Sequence, residues 1–164
     1  MEANEASPPK IEAPRGMYPA RLDDKGRMKL PAVFQEYFQS LAQAGEKKLF
    51  VTSLDRNTAQ IYPPSVWREN EEFFFGYKDD PELAENVAFT ANELGSESEM
   101  DGQGRITFSP ELRRELKIEN QPVHIYSFKG HIEVLSEEIF LQRKGKASEN
   151  PQGNVRKLQV AGLK

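Results

Sequence analysis

The sequence of 164 residues predicts an α+β fold in which one β-turn-β-α-β-β-α unit occurs twice. The first observation is an internal repeat, because residues 22–32 are echoed by residues 100–110 at a constant offset of 78 positions. The second is short strand-like alternation beside glycine-centred turns. The third is a proline at the start of each helical apolar pattern that follows. One structural unit is therefore expected to serve twice in the same chain.

The first unit is predicted from residue 18 onward. Residues 18–22 and 27–30 have the alternation of half-buried strands, and Gly26 between them suits a tight turn. A helix is expected after Pro31, with an apolar stripe of Val33, Phe34, Tyr37, Phe38 and Leu41. Residues 49–54 and 58–62 predict a hairpin, and a helix carrying Trp67 and Phe73-Phe74-Phe75 should follow Pro63-Pro64, with these aromatics in the core or at a subunit interface.

The second unit repeats this order after a helix that begins at Asp80-Pro81 and runs to about Asn92. A strand over 105–108, a helix over 109–117, a hairpin of 123–126 with 131–135 and a short helix capped by Ser136 are expected. The predicted organisation is a disordered leader over 1–14, a first repeat with its following helices over 15–92, a second repeat over 93–141 and a disordered basic tail over 142–164.

The charge is unevenly distributed along the chain. The net charge is −4, the tail of residues 142–164 carries +5 and residues 1–16 carry −1, which leaves −8 for the body. An acidic body argues against diffuse binding to nucleic acid, although a local basic element remains compatible with it. The absence of cysteine and of any long apolar stretch favours a cytoplasmic protein that does not enter a membrane.

The repeated motif is Asp-x-x-Gly-Arg. In the first copy, Met28 and Leu30 should face the core, while Arg27 and Lys29 face outward. Arg21 and Lys25 can join them, so that four cations surround a two-stranded ribbon of a size that the major groove of DNA admits. Asp23 is placed to accept hydrogen bonds from the turn and to hold Arg27 extended. An equally weighted interpretation is that the Asp23–Arg27 and Asp101–Arg105 pairs only stabilise the turns.

Other chemistry is not indicated. The second copy resembles the middle of a calcium-binding EF-hand loop, but that register requires a ligand where the first copy has Arg21, and Pro110 stands at the position of the required glutamate. His124 and His131 have no third ligand at a recognisable spacing. No nucleotide, nucleophile or metalloprotease motif is found. We therefore expect no enzyme, no metal and no cofactor.

With Asp23, Gly26, Arg27 and Pro31-Ala32, and their echo at Asp101, Gly104 and Arg105, the chain resembles the MraZ family of bacterial transcriptional regulators. The likeness covers residues 15–141. It implies two tandem AbrB-like swapped-hairpin β-α-β units that form an intramolecular pseudo-dimeric barrel, with additional helices. It also implies a ring-shaped homo-oligomer, associated with the nucleoid, that binds repeated sites on double-stranded DNA and represses cell-division and cell-wall genes.

The resemblance implies that Asp23, Arg27, Asp101 and Arg105 contact DNA, and the charge pattern adds Arg21, Lys25 and Lys29. The copies are unequal, because these three cations are replaced by Glu99, Gln103 and Thr107 in the second copy. We therefore expect the first copy to make most DNA contacts. The chain departs from the family pattern at Ser109, where a proline is usual, and in its leader and basic tail.

Two alternatives to a DNA-binding regulator remain at this stage. One is an AbrB-type module that binds another protein, as an antitoxin binds its toxin, although such antitoxins usually carry one unit rather than two. The other is a family member that has kept its assembly and lost DNA binding, which the acidic body and the acidic second copy allow.

Overall fold

The computed structural model describes residues 11–164. The strands in this part of the chain are β1 (Tyr18–Arg21), β2 (Arg27–Lys29), β3 (Leu49–Thr52), β4 (Ala59–Tyr62), β5 (Ser96–Ser98), β6 (Arg105–Thr107), β7 (Pro122–Phe128) and β8 (His131–Ser136). The helices are α1 (Ala32–Gln43), α2 (Pro64–Gly76), α3 (Pro81–Leu94), α4 (Pro110–Leu116), α5 (Glu137–Ala147) and α6 (Pro151–Ala161). The predicted order of elements is confirmed in both units, and the class is α+β.

The strands of the two repeats are paired with each other. The larger sheet has the order β1-β7-β8-β4-β3-β5, so β1 of the first repeat pairs with β7 of the second, and β5 of the second pairs with β3 of the first. The pairings are antiparallel, and the β3–β4 and β7–β8 hairpins are confirmed. A separate two-stranded ribbon joins β2 to β6. Neither repeat could form this sheet alone, because its edge strands are supplied by the other.

One continuous core lies between the larger sheet, the ribbon and helices α1 and α4. Met28 and Ile106 from the ribbon are fully buried in it, together with Phe34 of α1 and Phe108, which precedes α4. The predicted stripe of α1 is buried at every position except Val33, which is exposed because it lies at the edge of that stripe. The core therefore fixes the ribbon from beneath and leaves its outer face to solvent.

The leader prediction falls partly outside the described residues. Residues 1–10 lie outside them, and residues 11–14 have no regular secondary structure. Ile11 and Ala13 nevertheless pack against the core, so core contacts extend to the N-terminal side of the predicted boundary at residue 15.

The prediction of disorder over residues 142–164 is wrong, because α5 continues to Ala147 and α6 follows. Local signals explain both helices. The Ser136 hydroxyl accepts a hydrogen bond from the Ile139 amide at the start of α5, and lysines in its last turn complement the helix dipole. Proline opens α6 and Gly162 ends it. These helices therefore form from local signals, although neither buries a residue.

Within residues 11–164, no helix is both long and apolar enough to cross a membrane. Helices α2 and α3 pack beside the larger sheet, where Trp67 is buried against Phe50 and Tyr62. Their opposite surface carries several exposed aromatic side chains, including Phe75.

Candidate nucleic-acid interface

The two Asp-x-x-Gly-Arg motifs form the same closed turn. In the first, one carboxylate oxygen of Asp23 accepts hydrogen bonds from the backbone amides of Lys25 at 2.9 Å and Arg27 at 2.8 Å. The other oxygen accepts from Nε of Arg27 at 2.8 Å. The predicted role of the aspartate is confirmed, since it both closes the turn and holds the arginine.

The second motif reproduces this geometry. Asp101 accepts from the backbone amides of Gln103 and Arg105, each at 2.9 Å, and from Nε of Arg105 at 2.8 Å. In each arginine Nε donates to the aspartate, and among the described residues no hydrogen bond is found from the two terminal nitrogens. Such nitrogens are the ones an arginine uses end-on towards an acceptor pair.

Both aspartates are held in their charged form. The backbone hydrogen bond from Arg27 is the largest cause that lowers the pKa of Asp23 below its ordinary value of 3.8, and the side chain of Arg27 lowers it further. The pKa of Asp101 is lowered in the same way by Arg105. The turns therefore keep their carboxylate bonds throughout the neutral pH range.

The ribbon is formed between the two repeats. The sequence predicts that residues 18–22 and 27–30 pair with each other, and this prediction is wrong: an isolated bridge between Leu22 and Met28 is their strand-type contact, whereas β2 pairs along its length with β6. Burial is the reason, because pairing Met28 with Ile106 places both side chains in the shared core.

The cross-repeat register brings the motifs together. Arg27 lies opposite Thr107, and Lys29 lies opposite Arg105. The amide of Leu30 donates to the carbonyl of Gly104 at 2.9 Å, and the amide of Phe108 donates to the carbonyl of Gly26 at 2.8 Å. Each strand thus ends on the turn of the other repeat, and both arginines belong to one outward surface.

The remaining predicted residues occupy different places around this surface. Lys25 is exposed at the tip of the first turn. The ammonium group of Lys29 donates to the carbonyl of Gln103, so its charge lies at the second turn and not at its own. Arg21 is exposed at the end of β1, where its guanidinium donates to the carbonyl of Asn120 at 2.9 Å. It flanks the ribbon without belonging to it.

Two further residues, Gln35 and Arg113, were missed by the sequence analysis. The side-chain amide of Gln35 donates to the backbone carbonyl of Leu30 at 2.7 Å. The guanidinium of Arg113 donates to the backbone carbonyl of Phe108 at 2.8 Å. Their positions differ by the same 78 residues as the motifs. Extending the 78-residue offset beyond residues 22–32 shows that the two occupy equivalent positions in the repeats.

Each of these side chains lies under the glycine of the other repeat's turn. Gly26 has φ +78°, and a Cβ added there would lie 1.9 Å from a terminal nitrogen of Arg113. Gly104 has φ +73°, and its added Cβ would lie 2.3 Å from the amide carbon of Gln35. At each position glycine is favoured for two reasons: the backbone is left-handed, and a side chain of the other repeat approaches it closely. Helix α4 supports the first turn, and α1 supports the second.

No group of three or more potential metal ligands is found among the residues that the structure describes. What the surface offers is positive charge on a rigid frame: Arg21, Lys25, Arg27, Lys29 and Arg105 stand against the carboxylates of Asp23, Asp24 and Asp101. Two of those carboxylates are engaged by the turns themselves. An arrangement of this kind can contact an anionic polymer.

A scan against protein-family profiles finds no match for this chain. Comparison with curated proteins does find relatives. The chain is 33% identical over 128 residues to the transcriptional regulator MraZ of Acidobacterium capsulatum, which covers 78% of this chain and 85% of that protein. It is 33% identical over 107 residues to MraZ of Koribacter versatilis, covering 65% and 71% of the two chains. With MraZ of Corynebacterium kroppenstedtii it shares 31% identity over 139 residues, or 82% and 89% of the chains.

These relatives are all named as transcriptional regulators, which is the class of protein that the similarity indicates. The chain belongs to the MraZ family.

Proposed function

We propose that this chain is a sequence-specific DNA-binding transcriptional regulator that contacts double-stranded DNA through the β2–β6 ribbon and its two turns. The observation that carries the proposal is the pair of Asp–Arg turns brought to one outward surface by the exchange of strands between repeats. The names of the relatives support it. So does the size of a two-stranded ribbon, which fits the major groove of B-form DNA.

The proposed contacts divide by chemistry. Arg27 and Arg105 keep their terminal nitrogens for a guanine edge, where a bidentate pair contributes about 1–3 kcal/mol of discrimination. Lys25, Lys29 and Arg21 suit phosphate oxygens, which position the protein without reading sequence. Asp23 and Asp101 act by orienting the arginines, because a carboxylate itself would be repelled by phosphate.

We propose that the first motif contributes more than the second. Lys25 and Arg113 lie at the first turn, and Arg113 approaches the carbonyl of Lys25 at 3.4 Å. The second turn gains Lys29, whose ammonium group donates to Gln103. The difference between the turns is therefore smaller than the sequence alone suggests, and Arg27→Ala is expected to weaken binding more than Arg105→Ala.

The exchange of β1, β5 and the ribbon strands between repeats supports an AbrB-like swapped-hairpin interpretation, in which the two repeats form a pseudo-dimeric barrel. We propose that several copies assemble into a homo-oligomeric ring and present their ribbons to repeated DNA sites. Linked binding events raise the effective concentration of each ribbon without new contacts, which would offset the acidic body. On the family resemblance, the proposed role is repression of cell-division and cell-wall genes at the nucleoid.

The test is a fluorescence anisotropy titration with DNA from upstream of the protein's own gene, across a series of salt concentrations. Wild type is compared with Arg27→Ala, Arg105→Ala and, as a matched control, Arg15→Ala, which removes an exposed arginine beyond the opposite end of β1. The proposal predicts sequence-selective binding whose log affinity falls linearly with log salt. Loss of binding is expected in the ribbon variants and not in the control.

The alternatives predict different results. Absence of selective binding by folded wild type would contradict the proposal and favour a member that has lost DNA binding. Recovery of one stoichiometric protein partner with no affinity for DNA would favour the antitoxin-like module. An equal or larger loss from Arg105→Ala would contradict only the proposed order of the two motifs.

A further inference from the structure

The C-terminal helix α6 has an apolar stripe that nothing in residues 11–164 covers. Val155, Leu158 and Ala161 follow one another at helical spacing and share one face. Leu158 is 58% exposed, and none of the residues of α6 is buried. An isolated helix of 11 residues is marginal in water, so a helix with this stripe gains most of its stability from the surface it packs on.

A groove between α2 and α3 offers an apolar surface of comparable length. It has a volume of about 450 Å³, and Trp67, Phe74 and Phe75 line it with apolar atoms. Phe75 is 88% exposed, and Phe73 and Phe89 nearby are also exposed. The flanking helices of 13 and 14 residues are about 20 Å long, and α6 with its 11 residues is about 16 Å long, so α6 fits along the groove.

The charges of the two surfaces are opposite. Residues 64–94 carry eight carboxylates against Arg68 and Lys78, and Glu71 and Glu85 line the groove itself. Residues 142–164 carry six cations against Glu149 alone. Lys157 borders the apolar stripe of α6, where it can meet a carboxylate at the edge of the groove. Such complementarity steers association and fixes orientation.

We propose that α6 of one copy of this chain lies in the α2–α3 groove of a neighbouring copy. This inference rests on the homo-oligomer of the proposed function and names the surfaces that build it. The contact is head-to-tail, because the helix and the groove are different parts of the chain. A head-to-tail contact closes into a ring when its rotation permits, and each copy then contributes one helix and receives one.

The first experiment measures the molar mass of the full chain by light scattering on size-exclusion chromatography. Leu158→Glu puts a charge in the apolar stripe, and Val160→Glu is its matched control, since Val160 is 91% exposed on the opposite side of α6. Both sites are exposed, so neither change disturbs the core, and circular dichroism checks this. We expect Leu158→Glu to fall to the 18.7 kDa monomer and Val160→Glu to keep the wild-type mass.

The second experiment locates the contact. The chain has no cysteine, so two single-cysteine variants, Phe75→Cys and Leu158→Cys, can be prepared separately, mixed and treated with a mild oxidant. A disulfide-linked dimer containing one of each variant is expected. Gln121→Cys mixed with Leu158→Cys is the control pair, because Gln121 is exposed just before β7 and is not among the residues that line the groove, and it should not form this product.

The outcomes separate this inference from the function. An oligomeric wild type that Leu158→Glu leaves intact, or equal crosslinking of the control pair, would overturn the inference and leave the proposed DNA-binding oligomer standing. A monomeric wild type would overturn both the inference and the proposed ring, while selective DNA binding lost on Arg27→Ala would still support the ribbon as the DNA-binding element.

Discussion

Replacing Gly26 with alanine tests the idea that the turn of one repeat is supported by a helix of the other. The backbone there has φ +78°, where an L-residue other than glycine costs roughly 1–2 kcal/mol. The new Cβ would also meet the Arg113 side chain at 1.9 Å. Arg113 must therefore move, and its hydrogen bond to the carbonyl of Phe108, worth about 0.5–1.5 kcal/mol, is lost. The expected decrease in the free energy of unfolding is about 1.5–3.5 kcal/mol.

The assay is equilibrium unfolding in urea at one fixed protein concentration, so that assembly contributes equally to each variant. The midpoint should fall while the m-value stays constant. Gly102→Ala is the matched control in the second turn: its added Cβ meets nothing within 4 Å and its φ is not in the left-handed region. This control should remain within about 0.5 kcal/mol of wild type.

The contribution of the close contact is isolated by a double-mutant cycle. Arg113→Ala removes the side chain beneath Gly26, so the double variant should lose less than the two single variants together, by about 1 kcal/mol. If Gly26→Ala were no more destabilising than Gly102→Ala, the turn would not be under the proposed constraint. If the cycle showed no coupling, backbone conformation alone would account for the effect and the cross-repeat support would be refuted.

Three further predictions concern the turns, the ribbon and a helix start. The pKa of Asp23 is lowered from its ordinary value of 3.8, so its stabilising contribution is complete above that value and is lost as pH falls through the lower folded pKa. In acid titrations below about pH 4, the stability of Asp23→Asn should therefore decline less steeply than that of wild type. Parallel curves would contradict this. Lys29→Ala should weaken binding to every DNA sequence and reduce the magnitude of the slope of log affinity against log salt by about 0.9. A loss of affinity confined to one sequence would instead assign Lys29 to base recognition. Ser109→Ala should lower the free energy of unfolding by about 1 kcal/mol, because the Ser109 hydroxyl accepts a hydrogen bond from the backbone amide of Leu112 at the start of α4. Ser109→Thr should retain most of the stability, and equal losses from the two variants would argue against capping.

The parts of the site that the sequence predicted are local. Asp23 and the groups it binds lie within four residues, so the motif itself contains the whole turn. The start of α4 at Ser109 and the hairpin around Lys129 are likewise decided by neighbouring residues. Helix α6 also has local signals, since a proline starts it, but it buries no residue and therefore lacks the core-facing apolar pattern from which helices such as α1 were predicted.

The sequence by itself determined that one unit occurs twice, that each copy contains an aspartate-closed turn, and that a proline-led helix follows each ribbon strand. Only the tertiary structure decided which strands pair. The local turn could have paired β1 with β2, but pairing β2 with β6 buries Met28 against Ile106 in a core that both repeats share. That choice moves the charge of Lys29 to the second turn and places Arg113 under the first. Hydrogen bonds over a few residues are specified by the residues themselves, whereas the partner of a strand depends on apolar area collected from the whole chain.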